Sequence, residues 1–174
     1  MKIELRDVKI SKQFSEETIM FSANVSVNGR IVAYANNDGR GGCTFYNAYP
    51  ERRDLLIEAE NYLKSLPSKK FEYFGKEYEI ESSMENWIDD EINRIFNEKE
   101  IGVFNKKLKK QCETKICWGV KGGNSYKSIG FKGNLKLADM LKTKTGKQSI
   151  DNLVNRVKGE LIEGEEILNE NIGL

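Results

Sequence analysis

The stretch richest in chemical possibility is "NNDGRGGC", residues 36–43. Gly39, Gly41 and Gly42 stand among Asn37, Asp38 and Arg40, and the run ends on Cys43. Successive backbone amides in such a run can shape an anion-binding concavity. A helix start about ten residues downstream would favour the same negative charge. The dinucleotide fingerprint GxGxxG is incomplete, because it needs glycine where Thr44 stands. The stretch therefore reads as a bulge or wide turn between strands, or as a surface that brings backbone close to a ligand or partner. A third option is a reactive Cys43, with Arg40, Arg52 and Arg53 near it in sequence.

Other motifs are weaker. "KTKTGKQS" (142–149) suggests a phosphate loop until it is counted: the motif needs glycine at 141 and Ser or Thr at 148, where Leu141 and Gln148 stand. The chain has no histidine, which excludes Ser-His-Asp, Cys-His and paired-histidine sites together. Cys112 and Cys117, with only Cys43 besides, cannot complete the four nitrogen and sulfur ligands of a zinc site. Glu113-Thr114-Lys115 with Asp89, Asp90 and Glu91 loosely matches the acids and lysine of a metal nuclease. Such triplets are common in a chain with 32% charged residues. Carboxylate-pair glycoside chemistry is permitted and equally without a specific signal. The expectation is a protein that is not an enzyme and uses no metal and no cofactor.

Charge is more informative. The formal net charge is +1, yet residues 77–100 carry nine acidic and two basic side chains, net −7. Residues 106–147 carry twelve lysines against Glu113 and Asp139, net +10. Such segregation can orient a partner through long-range fields, or serve as solvated faces that pair with each other. Lys106, Lys107, Lys109, Lys110 and Lys121, with the aromatics Trp118, Tyr126 and Phe131, could follow a nucleic-acid backbone while stacking bases. Lysines also keep exposed strand edges from aggregating, and an acidic protein surface would suit them as well.

The elements that must position these residues follow from periodicity. Residues 2–10 and 18–27 alternate as strands, with an irregularity near Asp7, and Asn28-Gly29 supplies a tight hairpin turn into a third strand over 30–35. Pro50 opens a helix carrying Leu55, Ala59, Tyr62, Leu63 and Leu66, and Pro67 ends it. "FEYFGKEYEI" (71–80) reads as a short hairpin or one bent strand. Ser82 and Glu85 make a capping box before the stripe Met84, Ile88, Ile92, Ile95 and Phe96. A separate helical stretch follows at Ile101, Phe104, Leu108 and Cys112. "KICWGVKGGNSYKSIGFK" reads as a second hairpin, then a short helix near 135–141 and a longer one from Ile150 to Leu161, with a fraying end.

Taken together, "MKIEL", "NDGRGGCTFYNAYP", "LIEAENYLKSLP" and "KKLKKQCETKICWG" resemble small uncharacterised proteins of phages and mobile elements. The resemblance is of overall pattern and brings no catalytic motif. It implies a role of the host-defence-inhibitor, anti-CRISPR-like kind, in which the protein binds and disables a host factor.

The expected fold is α+β: an N-terminal antiparallel meander with packed helices, then a second hairpin and a helical C-terminal region. At 174 residues a single domain over 1–174 is expected, with sub-units at 1–81 and 82–174 as an option. The charged start and the lack of a long apolar run predict a soluble, cytoplasmic protein with no membrane contact, and the resemblance implies that it acts in a bacterial host cell. The expected function is to occupy the surface of a bacterial protein or protein–nucleic-acid complex. The contacts are Asn37, Asp38, Gly39, Arg40, Gly41, Gly42, Lys106, Lys107, Lys109, Lys110, Trp118, Lys121 and Tyr126. The alternatives are a ligand-binding protein or enzyme using the Asp38–Cys43 loop, and a direct nucleic-acid binder.

Overall fold

A computed structural model describes residues 1–173 and shows the α+β fold, organised as two compact units that divide at Asn97/Glu98. The first unit holds a four-stranded antiparallel sheet in the order β1 (Ile3–Ile10), β2 (Phe21–Val27), β3 (Arg30–Asn37), β4 (Phe45–Ala48). The irregularity near Asp7 is a register shift between Arg6 and Lys9, with Asp7 at φ 54° and its carboxylate accepting from Asn24 Nδ2 at 2.9 Å. Asn28 (φ 49°) and Gly29 (φ 83°) form the tight turn from β2 to β3. Alternation puts Phe21, Ala23, Val25 and Val27 of β2 into the core. A second register shift, between Val25 and Ser26, lets both Val32 and Ala33 be buried.

Helix α1 (Arg53–Lys64) follows a single 3₁₀ turn begun by Pro50 and buries Leu56, Ala59 and Leu63 against the same core. Met84, Ile88 and Ile92 from the start of α2 (Met84–Cys112) complete it. A buried side chain of this size contributes about 1.5–3 kcal/mol, so the stripe is what holds α2 in the first unit. The "FEYFGKEYEI" segment is a hairpin, β5 (Lys69–Tyr73) and β6 (Lys76–Ile80), forming a two-stranded sheet of its own.

Helix α2 corrects the expectation of two helices over 82–112: it is one helix of 29 residues. No proline interrupts it, and Gly102, its weakest residue, costs about 1 kcal/mol and does not break the ladder. The apparent gap arises because Ile101 and Val103 are 57% and 50% exposed, so the apolar stripe lapses although the backbone continues.

In the second unit, the latter part of α2 leads into β7 (Lys115–Val120), the centre of an antiparallel sheet β8-β7-β9 with β8 (Lys127–Gly130) and β9 (Glu165–Ile167). Short α3 (Leu137–Met140) and α4 (Lys144–Lys158) supply Leu137, Ile150, Val154 and Val157 to a core shared with Ile116, Trp118 and Ile172. Sequence periodicity carries the last helix to Leu161 and ends in fraying. Instead α4 stops at Lys158 and the chain returns as β9, with Ile167 opposite Trp118. The phosphate-loop look of 142–149 has a structural cause: Thr143 Oγ1 caps α4 by accepting from Gly146 N at 3.0 Å. A Cβ at Gly146 would lie 2.1 Å from the Met140 carbonyl oxygen.

Candidate functional site

The loop after β3 is organised by one side chain. Asn37, only 5% exposed, donates from Nδ2 to the Gly42 carbonyl (2.9 Å) and to Thr44 Oγ1 (3.3 Å). Its Oδ1 accepts from the Gly39 amide and from the Thr18 hydroxyl, both at 2.8 Å. Gly39 sits at φ +85° with its carbonyl accepting from the amides of Glu16, Glu17 and Thr18 (2.9, 3.0 and 3.3 Å), which locks the loop onto the Ser11–Met20 connection. A Cβ at Gly39 would fall 2.2 Å from the Phe14 carbonyl oxygen, and one at Gly41 (φ +86°) would fall 2.2 Å from Glu17 Oε2. Gly42 differs: its φ is ordinary and no atom lies within 4 Å of its Cβ position.

These bonds alter the reading of the segment. The amides of Gly39, Arg40 and Gly41 donate to Asn37 Oδ1, Asp38 Oδ1 (3.2 Å) and Thr18 Oγ1 (3.2 Å), so the expected anion concavity has those three donors committed within the fold. Asn37 and Gly39 are buried scaffold, whereas Asp38, Arg40, Gly41, Gly42 and Cys43 are exposed. Thr44, also buried, ties the loop to α2: its hydroxyl donates to Asp89 Oδ1 at 2.5 Å and its amide donates to Glu85 Oε1 at 3.2 Å. Burial pushes the Asp89 carboxyl above its usual range; the charges of Glu85 and Asp90 push the same way and the Thr44 hydrogen bond opposes them.

Beside the loop lies a cleft of about 540 Å³. Its wall includes Glu16, Glu17, Thr18 and Asn37, with Asp89 and Asn93 from α2 and an apolar part made by Ile19, Phe21, Ile92 and Phe96. The Lys12 ammonium rides 6.0 Å from the centroid of the Phe96 ring. Among the described residues, no group of three or more cysteine, aspartate or glutamate side chains is arranged to hold a metal ion, and no helix is long and apolar enough to cross a membrane.

In the second unit the predicted contacts separate. At about 100° per residue, Lys106, Lys107, Lys109 and Lys110 fall within an arc of about 160° on α2, opposite Leu108 and Cys112. All four are exposed, and none makes an ion pair among the described residues. Lys121 is exposed and lies 3.6 Å from Glu166. Trp118 is corrected: at 7% exposure it belongs to the core, because β7 is covered on both faces. Tyr126 is half-buried and packs edge-to-face on Phe104, with centroids 5.5 Å apart.

Cys112 and Cys117 are both buried, and burial raises both thiols, Cys117 to about 12. They stay protonated near neutral pH and serve as packing. Around them Asn169, 6% exposed, repeats the device of Asn37. Its Oδ1 accepts from Cys117 N at 2.7 Å, while Nδ2 donates to the carbonyls of Lys115 (2.8 Å) and Cys112 (3.2 Å).

One surface goes beyond the sequence expectation. On the β5–β6 hairpin, alternation places Phe71, Tyr73 and Tyr78 on one face, at 44%, 58% and 44% exposure, with Phe74 at the turn 87% exposed. The rings of Phe71 and Tyr78 stack at 5.5 Å and Tyr73 meets Tyr78 edge-on at 6.3 Å. The signal was present in the alternation of "FEYFGKEYEI", but alternation usually marks a face that is covered, and this one is not.

No protein-family model, curated protein or solved structure matches the chain.

Proposed function

We propose that the chain is a non-enzymatic binding protein that acts by occupying a partner's surface, with the lysine face of α2 set against an acidic protein surface. The observation that carries this is the arrangement of Lys106, Lys107, Lys109 and Lys110 as four exposed ammonium groups without ion-pair partners among the described residues. Residues 98–174 hold fifteen basic and ten acidic side chains, net +5, and residues 1–97 hold thirteen and seventeen, net −4. The field of the second unit therefore steers toward negative partners. Base stacking is less well served: Trp118 is in the core and Tyr126 is packed on Phe104. That favours an acidic protein over a single-stranded nucleic acid. The resemblance to proteins of phages and mobile elements suggests the class of target, a bacterial nucleic-acid-handling or defence complex acted on inside the host cell.

Affinity capture from bacterial lysate, with and without nuclease, tests the reading when the wild type is run beside a variant with all four lysines changed to glutamine. Capture that survives nuclease, is lost in the variant and weakens with salt supports it. Capture abolished by nuclease moves the function to direct nucleic-acid binding. The cleft beside the Asn37 loop supports a second reading, a small-ligand site. A thermal shift on adding a ligand, removed by Asp89→Asn, is the result that would favour it.

A further inference from the structure

We infer that the β5–β6 hairpin is an interface for a second copy of this chain, joined through antiparallel pairing of β5 with β5. Among the described residues the hairpin is two-stranded and neither strand pairs with a third, so both outer edges are open. Isolated two-stranded hairpins are marginal in water, and an added strand with a shared apolar face stabilises them. The hairpin already has that face in Phe71, Tyr73 and Tyr78.

The choice of edge follows from charge. The turn residues Phe74 (φ 49°) and Gly75 (φ 70°) make a two-residue connection with Tyr73 opposite Lys76. In such a hairpin the pair flanking the turn is hydrogen-bonded and the pairs alternate from there. Lys70 and Glu72 then turn their backbone N–H and C=O groups outward on β5. A two-fold axis at Phe71 sets Lys70 of each copy opposite Glu72 of the other, both as hydrogen-bonded pairs, and brings the Phe71 rings together on the aromatic face. Within one hairpin Glu72 lies opposite Glu77, an unfavourable like-charge pair. The incoming Lys70 lies on the free side of Glu72 and offsets it. The β6 edge gives the reverse: centred on Tyr78, it would set Glu77 against Glu79, a repulsive pairing that protects that edge. The result is an isologous sheet ordered β6-β5-β5-β6.

Sedimentation equilibrium from about 5 µM to about 500 µM chain tests this, because a modest interface of this kind associates in the micromolar range. The wild type should pass from monomer to dimer. Glu72→Lys places two lysines opposite each other in the dimer while removing the repulsion with Glu77 in the monomer. It should weaken association about tenfold or more with thermal stability unchanged or raised. Lys70→Glu should also be monomeric. An equimolar mixture of Lys70→Glu and Glu72→Lys restores opposite charges at both pairs and should dimerise again. A wild type that stays monomeric throughout the range overturns the inference, as does a dimer that Glu72→Lys leaves intact or a mixture that fails to associate.

Discussion

Replacing Asn37 by alanine tests the central structural claim about the glycine-rich loop, that a single buried amide holds it. The side chain makes four hydrogen bonds, to Gly42 O, Thr44 Oγ1, Gly39 N and Thr18 Oγ1. Each contributes about 1 kcal/mol net, and a buried donor left without an acceptor costs about 1–3 kcal/mol. Gly39 is buried, so its amide pays that desolvation, whereas Gly42 and Thr18 lie nearer solvent and can be partly rehydrated. The expected loss is about 3–4 kcal/mol, a large fraction of the 5–15 kcal/mol typical of a folded domain. Urea denaturation followed by circular dichroism reads it as a lower midpoint at unchanged slope. Asn37→Asp retains both acceptor bonds but sets a carboxylate against the Gly42 carbonyl, and should be nearly as damaging. A loss below about 1 kcal/mol for Asn37→Ala would refute the argument, since it would mean the loop keeps its shape without the clamp.

Three further outcomes follow from the same geometry. Gly39→Ala should cost at least about 2 kcal/mol, from the positive φ and the clash with the Phe14 carbonyl, while Gly42→Ala should stay within about 0.5 kcal/mol; paired urea titrations compare them. With a thiol-specific disulfide reagent on the native protein, Cys43 should react at once and Cys112 and Cys117 only after unfolding, because the latter two are buried with raised thiol pKa values. Asp89 has a raised pKa, so the folded state holds its proton to higher pH than the unfolded chain. The carboxyl therefore favours folding when protonated, and this contribution is lost as pH rises from the unfolded value through the folded one. Asp89→Asn, which can still accept from Thr44, should equal or exceed wild-type stability at neutral pH, and its advantage over the wild type should shrink as pH falls and the wild-type carboxyl takes up its proton.

Local chemistry made much of this architecture legible. The Asn28-Gly29 turn, the alternation of β2 and the proline before α1 each act within a few residues, and each lies where the pattern places it. The class α+β follows from them. What escaped depends on contacts distant in sequence. Trp118 sits in an alternating strand like any surface aromatic, but it lies opposite Ile167 of β9 and shares its core with Leu137, Ile150, Val154 and Val157, which follow much later in the chain. Asn37 and Asn169 look like ordinary turn asparagines, yet each is buried because a remote segment folds over it. The hairpin aromatics fail the other way: their spacing matches a core face, yet among the described residues Phe71, Tyr73 and Tyr78 stay 44%, 58% and 44% exposed. Within the glycine run, type alone could not separate Gly39, whose Cβ position is blocked by the Phe14 carbonyl, and Gly41, held at φ +86°, from Gly42, which has neither constraint.

The account turns most directly on the lysine face. The decisive measurement is the salt dependence of binding to the captured partner, compared between wild type and the variant with Lys106, Lys107, Lys109 and Lys110 changed to glutamine. Affinity for an acidic surface should fall steeply with salt in the wild type, and both affinity and salt slope should drop sharply in the variant. Equal affinity and equal salt slope for the two proteins would contradict the claim that this face of α2 makes the contact.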